Sequence, residues 1–283
     1  MTAETMAEAW DLLQREAVAI IDDAARVDVT LRVVGSAGIR LHCGAPGPLM
    51  DRLGRPAKDI DFIVPQRHRK GMRRVLESRG YVVDRDLLIA MEGRRYSFAH
   101  RDHGTEIDVF VEKLDFCHTI ELSGRLARHP ITIPIEELLL QKLQIVQMTT
   151  TDMIDAGVLL ATHGLSDTDD DRPPLSLADA PVAEPGQAPE QETIDAGHIA
   201  RLLARDWGFH HTATQNLHRV SEQLTPAGAA DVGAEGNLRA QDRVRRLLTA
   251  IETEPKTLAW RMRDKVGERK QWWQDVDDRE ATY

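Results

Sequence analysis

The chain has 283 residues, 42% of them apolar but only 5% aromatic, and a formal net charge of −10. That length allows one large domain or two modest ones, with a core built on Leu, Val, Ile and Ala. The longest uncharged apolar stretches, such as residues 17–21, fall far short of the ~20 residues of a membrane span, so no membrane partner is expected. Glu4 and Glu8 stand where a secretion signal would be basic and then apolar. The two cysteines, Cys43 and Cys117, read as reduced core thiols of a cytoplasmic protein.

The negative charge is concentrated. Residues 165–198 carry 9 acidic residues against a single basic one, whereas residues 55–101 carry 12 basic against 6 acidic. The whole-chain balance therefore hides a basic region suited to phosphate partners.

In chain order, apolar residues at helical spacing predict a helix over residues 6–25. Residues 31–34 read as a strand that ends at Gly35-Ser36. A long Gly/Pro loop, 44–56, leads to a strand at 60–64. A basic helix over 66–79 stops at Gly80. Short strands follow at 81–83, 94–99 and 106–111, then an extended piece at 131–134 and helices at 135–148 and 152–163. The stretch 165–192 is rich in Asp, Glu, Pro, Ala and Gln and poor in large apolar residues, so it reads as a flexible acidic linker. Beyond it only helices are expected, at 194–207, 213–223, 239–253 and 256–272. The expected organisation is a mixed α+β domain over 1–164, the linker over 165–192, and a helical C-terminal domain over 193–283. Trp207, Trp260, Trp272 and Trp273 are expected as core anchors of that last domain.

Three acids interrupt apolar strands. Asp59 and Asp61 are two residues apart, which on a strand places both on one face while Ile60, Phe62 and Val64 take the other. Asp108 stands among core residues of the strand at 106–111. Three carboxylates on one sheet face repel each other unless cations lie between them, and hard divalent ions such as Mg²⁺ suit all-oxygen donors. Upstream, Gly35-Ser36 turns a strand into a helix and offers backbone N–H groups, a hydroxyl and a helix N-terminus, the parts of a phosphate cradle.

Apolar-Gly-Ser, then Asp-x-Asp, then a later Asp-bearing strand resembles the DNA polymerase β-like nucleotidyltransferase superfamily. Leu138 to Gln144, with Lys142, followed by Asp152-Met-Ile-Asp155, looks like the lysine helix and Asp-x-x-Asp helix of AbiEii/MenT-type nucleotidyltransferase toxins. The resemblance covers residues 31–163. It departs in the longer spacing from Ser36 to Asp59 and in Thr151, where these toxins often carry Arg or Lys. It implies a nucleotidyltransferase-like mixed sheet with flanking helices and transfer of a nucleotide from an NTP to an acceptor hydroxyl, with pyrophosphate released.

In that scheme two Mg²⁺ ions are held by Asp59, Asp61 and Asp108, and Gly35 and Ser36 grip the triphosphate. Arg55 and Lys58 contact it, Lys142 meets developing phosphate charge, and Asp152 and Asp155 orient Lys142 or the acceptor. An RNA acceptor such as tRNA, and an antitoxin partner, are what the toxin resemblance implies. A small-molecule acceptor, as for antibiotic-modifying enzymes, and a non-catalytic nucleotide-binding scaffold are the alternatives. Arg67, Arg69, Lys70, Arg73 and Arg74, on the helix after the Asp-x-Asp strand, are expected to contact an RNA acceptor.

Overall fold

The computed structural model describes residues 3–43, 54, 57, 59–166 and 192–276. The chain forms two compact units. The first takes in residues up to 114 together with 121–134; the second takes in 115–120, 135–166 and 192–276. The helices over 135–148 and 152–163, assigned by sequence to a domain ending at 164, pack in the second unit. Local periodicity shows that a segment is helical but not which neighbours cover its apolar face. The linker assignment falls on 167–191, outside the described residues. So do most of the loop at 44–56, Arg55 and Lys58. No helix among the described residues is long and apolar enough to cross a membrane.

The first unit is a five-stranded mixed sheet with helices. Helix α1 (Ala3–Ala25) precedes β1 (Arg32–Val34), which passes directly into α2 (Gly35–Cys43). Strand β2 (Asp59–Val64) is followed by a 3₁₀ turn and α3 (Arg69–Ser78). Then come β3 (Tyr81–Val83), a short helix α4 (Arg85–Ala90), β4 (Arg95–His100) and β5 (Glu106–Val111). Sequence reading did not foresee α4; Asp84 caps it, accepting from the amides of Asp86 and Leu87 at 2.9 Å each. The sheet order is β1-β2-β5-β4-β3, with β2 and β5 parallel and the other neighbours antiparallel. Backbone bonds from Val33 N to Ile131 O and Ile133 N to Val33 O tie the extended piece at 131–134 beside β1.

The sheet buries one face under α1 and α3. Val33, Ile60, Phe62, Val64, Ile107 and Val109 share a core with Trp10, Ala17 and Ile20 of α1 and with Met72, Val75 and Leu76 of α3. Strand alternation then sends Arg32, Val34, Asp59, Asp61, Asp108 and Arg95 to the opposite face.

The second unit is mainly helical. It contains α5 (Ile135–Leu143), α6 (Thr150–Thr162), a parallel pair of three-residue strands at Gly164–Ser166 and Thr193–Asp195, α7 (Ala196–Leu203), α8 (Trp207–Gln223), α9 (Ala234–Thr253) and α10 (Leu258–Asp264). The helix expected over 135–148 ends at Leu143. Asn216 of α8 donates from Nδ2 to the carbonyls of Leu143, at 3.0 Å, and Ile145, at 2.7 Å, satisfying acceptors that a continuing helix would have used internally. The helix expected over 256–272 is limited to Leu258–Asp264 and a 3₁₀ turn. Trp207 is buried, and Trp260, Trp272 and Trp273 are half-buried.

Candidate metal centre

The β-sheet register arranges the outward face into rows. Cross-strand partners share a face, so Val34, Asp61, Asp108 and Ser97 form one row across β1, β2, β5 and β4. The row on one side runs Arg32, Ile63, Phe110, Arg95; the row on the other contains Asp59, Glu106 and Ala99. Asp61 and Asp108 are therefore direct neighbours, and Asp59 stands one pleat repeat from Asp61. One carboxylate oxygen from each of Asp59, Asp61 and Asp108 lies within 4.8 Å of the others. The three acids singled out in the sequence thus converge on one place.

Gly35 closes the site at the end of β1. Its φ is +66°, a conformation that costs an L side chain strain, and a Cβ there would stand 2.3 Å from Asp61 Oδ2. Glycine is needed for both reasons: the backbone turns left-handed, and it passes against the carboxylate. Ser36 follows in the first turn of α2 and is buried.

Asp108 is 6% exposed. Its Oδ2 accepts from Arg95 at 2.7 Å, an ion pair in which each side chain is 8% exposed. The Arg95 guanidinium also lies over the Phe110 ring, 5.2 Å from its centre. Oδ1 of Asp108 is buried with no hydrogen-bond partner. Buried carboxylate oxygens are almost always satisfied, so an orphan in a carboxylate cluster marks a place for a cation or a water. All-oxygen donors, an orphaned oxygen and a backbone held tight by glycine fit a small hard cation. Sequence reading missed Arg95. Its only local signal is a charge in a strand pattern; the contact depends on β4 pairing with β5 in this register.

Arg32 lies on the same face, mostly buried. Desolvation pushes its guanidinium down to about 10. Its Nε has no hydrogen-bond partner, and one terminal nitrogen donates to the Leu31 carbonyl at 2.7 Å.

Lys142 belongs to the second unit, in the last turn of α5. Its ammonium lies 3.2 Å from Asp152 Oδ1 and 3.0 Å from Asp155 Oδ2, so the lysine and the Asp-x-x-Asp pair are brought together. Asp152 also completes the start of α6: the Thr149 amide and hydroxyl both donate to its Oδ2, at 3.1 and 2.6 Å. Burial alone would raise the Asp152 carboxyl, but Lys142 and Thr149 together hold it below the usual range.

The basic residues of α3 lie on the side of that helix away from the core. Helix α3 packs Met72, Val75 and Leu76 into the core face, so Arg69, Lys70, Arg73 and Arg74 stand outside a layer that covers the side of the sheet opposite the carboxylates. Adjacency in the chain to the Asp-x-Asp strand does not bring them to the acids. Comparisons with protein-family models, curated proteins and solved structures find no match to this chain.

Proposed function

We propose that the chain is a divalent-cation-dependent nucleotidyltransferase that moves a nucleotide from an NTP to an acceptor hydroxyl and releases pyrophosphate. The observation that carries this reading is the convergence of Asp59, Asp61 and Asp108, within 4.8 Å, beside the left-handed glycine that opens α2. Asp59, Asp61 and Asp108 would hold Mg²⁺, which when bound lowers the pKa of an acceptor hydroxyl and neutralises the leaving pyrophosphate. The remaining work falls to the chain. The first amides of a helix point outward along its axis at the positive end of its dipole, so the Gly35-Ser36 turn offers donors to a triphosphate. Gly35 keeps that backbone against Asp61, so phosphate and carboxylate are held at one place. The reading rests on the first unit alone. The resemblance in motif order supports an RNA acceptor such as tRNA.

The test is pyrophosphate release by the full chain with Mg²⁺, each NTP in turn, and total tRNA, run beside Asp61→Asn. Release that needs the cation and disappears in Asp61→Asn is expected. Release unaffected by that substitution would overturn the assignment. Release with small hydroxyl acceptors and not with RNA would keep the chemistry and change the acceptor.

A further inference from the structure

The orphaned oxygen and the ion pair belong to one carboxylate. Arg95 occupies Oδ2 of Asp108, while Oδ1 has no hydrogen-bond partner. The pair is buried, and the ring of Phe110 beneath the guanidinium shields it further. We infer that Arg95 is a resident counter-ion of the metal site: it sustains the buried Asp108 carboxylate when no cation is bound, and it lowers the affinity with which a divalent cation is held. The inference rests on the proposed metal role of Asp59, Asp61 and Asp108.

Two effects oppose each other. A hydrogen-bond partner that orients a ligating carboxylate usually strengthens metal binding, and its loss weakens binding by about 10–100-fold. A guanidinium that shares a carboxylate with the cation repels it, and in a buried site the repulsion is poorly screened. Here the backbone of Asp108 is fixed independently of Arg95. It lies mid-strand in β5, paired on both sides by β2 and β4, and its side chain is enclosed. Arg95 orients one carboxylate oxygen, Oδ2, and places a full, poorly screened charge beside the site; the charge decides the sign. Arg95 is therefore a positioning and charge-balancing residue rather than a catalytic one. It keeps the apo site folded without making it a trap for divalent ions.

Glutamine and lysine separate the two effects. Arg95→Gln keeps a donor and removes the charge; Arg95→Lys keeps the charge and removes the planar fork. Mn²⁺ binding to the full chain, read by electron paramagnetic resonance, and the melting temperature in chelator would be measured for both. Arg95→Gln should bind Mn²⁺ about tenfold more tightly than the unaltered chain, and Arg95→Lys should stay within about twofold of it. In chelator Arg95→Gln should melt lower, and Arg95→Gln/Asp108→Asn should recover most of that loss. A purely structural role would lower melting equally with and without Mn²⁺ and leave affinity unchanged. Unchanged or weaker Mn²⁺ binding in Arg95→Gln, with binding still abolished by Asp61→Asn, overturns this inference and leaves the function standing. Absence of Mn²⁺ binding in every variant overturns the metal reading and this inference with it.

Discussion

Two groups of carboxylates in this protein each engage a basic side chain, and they are finished differently. In the second unit, Lys142 lies between Asp152 and Asp155, and the second oxygen of Asp152 takes two donors from Thr149. These partners lie close in the chain, on two consecutive helices, and Asp152 doubles as part of a capping box. In the first unit, Asp59 and Asp61 of β2 are brought together with Asp108 of β5, and Asp108 keeps one oxygen without a partner. A network whose oxygens have donors holds the structure it sits in. A network with an orphaned oxygen in a cluster of like charges is completed by something added. The proposed function assigns the ligand to the sheet cluster, and the contrast between the two clusters is what the following tests probe.

The largest effect that would break this contrast concerns the sheet. On the proposed function, Asp61→Asn should lower nucleotide transfer by about 1000-fold or more, because it would remove one ligand of the ion that stabilises transition-state charge. The same variant should melt no lower than the parent in chelator, since removing a like charge from the cluster relieves repulsion. A large loss of stability in Asp61→Asn without metal would place the sheet cluster with the structural kind.

The helix cluster should answer in the opposite way. Lys142→Met leaves two carboxylates beside it, one of them, Asp155, with its side chain fully buried. Breaking such a pair by removing one partner costs about 3–5 kcal/mol. Urea unfolding followed by circular dichroism would measure it. A cost below about 1 kcal/mol, the level of an exposed pair, would show that Lys142 is not structural support. Its expected role in meeting phosphate charge would then be the better account of its place.

Gly35→Ala sharpens the geometry of the sheet cluster. Gly35 and Gly104 have nearly the same φ, +66° and +67°, but a Cβ on Gly104 meets nothing within 4 Å. Alanine at Gly104 therefore reports the backbone strain alone, of order 1 kcal/mol. Alanine at Gly35 adds the clash with Asp61 and should cost more, by about 1–2 kcal/mol, and weaken Mn²⁺ binding as the carboxylate is displaced. Equal costs at the two glycines would mean that the approach to Asp61 carries no constraint.

These contrasts also show what was legible in the chain. The shared face of Asp59 and Asp61 follows from strand periodicity, and the turn at Gly35 from a glycine at a strand end, so both could be read locally. Arg95 could not, because its contact with Asp108 depends on which strands pair and in what register. Nor could the outward placement of Arg69, Lys70, Arg73 and Arg74: an amphipathic helix shows which of its own faces is buried, not which face of a sheet it covers. The buried state of His118 was equally hidden. It is 4% exposed, and polar spacing around it gives no sign of the aromatic and threonine neighbours that enclose it.

That histidine allows the last of the four tests, in pH. His118 Nε2 lies 2.9 Å from the Thr212 hydroxyl and its ring stacks on Phe209 at 5.0 Å, all within the second unit. The indole N–H of Trp272 donates to the same hydroxyl at 3.1 Å, which leaves the hydroxyl hydrogen for a neutral imidazole. Burial pushes His118 down from 6.5 to about 4, against a small opposing pull from Asp206. The folded-state value lies below the unfolded one, so between pH 6.5 and 4 the unfolded chain binds the extra proton. Stability is then full above about pH 6.5, falls as pH drops toward 4, and loses nothing further from this group below that. The expected loss is about 3 kcal/mol. His210, also pushed down to about 4 by burial and by Lys256, adds to it in the same direction and window. Amide protection, taken relative to the intrinsic exchange rate at each pH, should therefore fall in α8 between pH 6.5 and 4.5 before it does in the sheet. His118→Gln should flatten the pH dependence of melting across that window. An unchanged slope in His118→Gln would show that the imidazole is protonated without cost, and would remove the pH contrast between the two units.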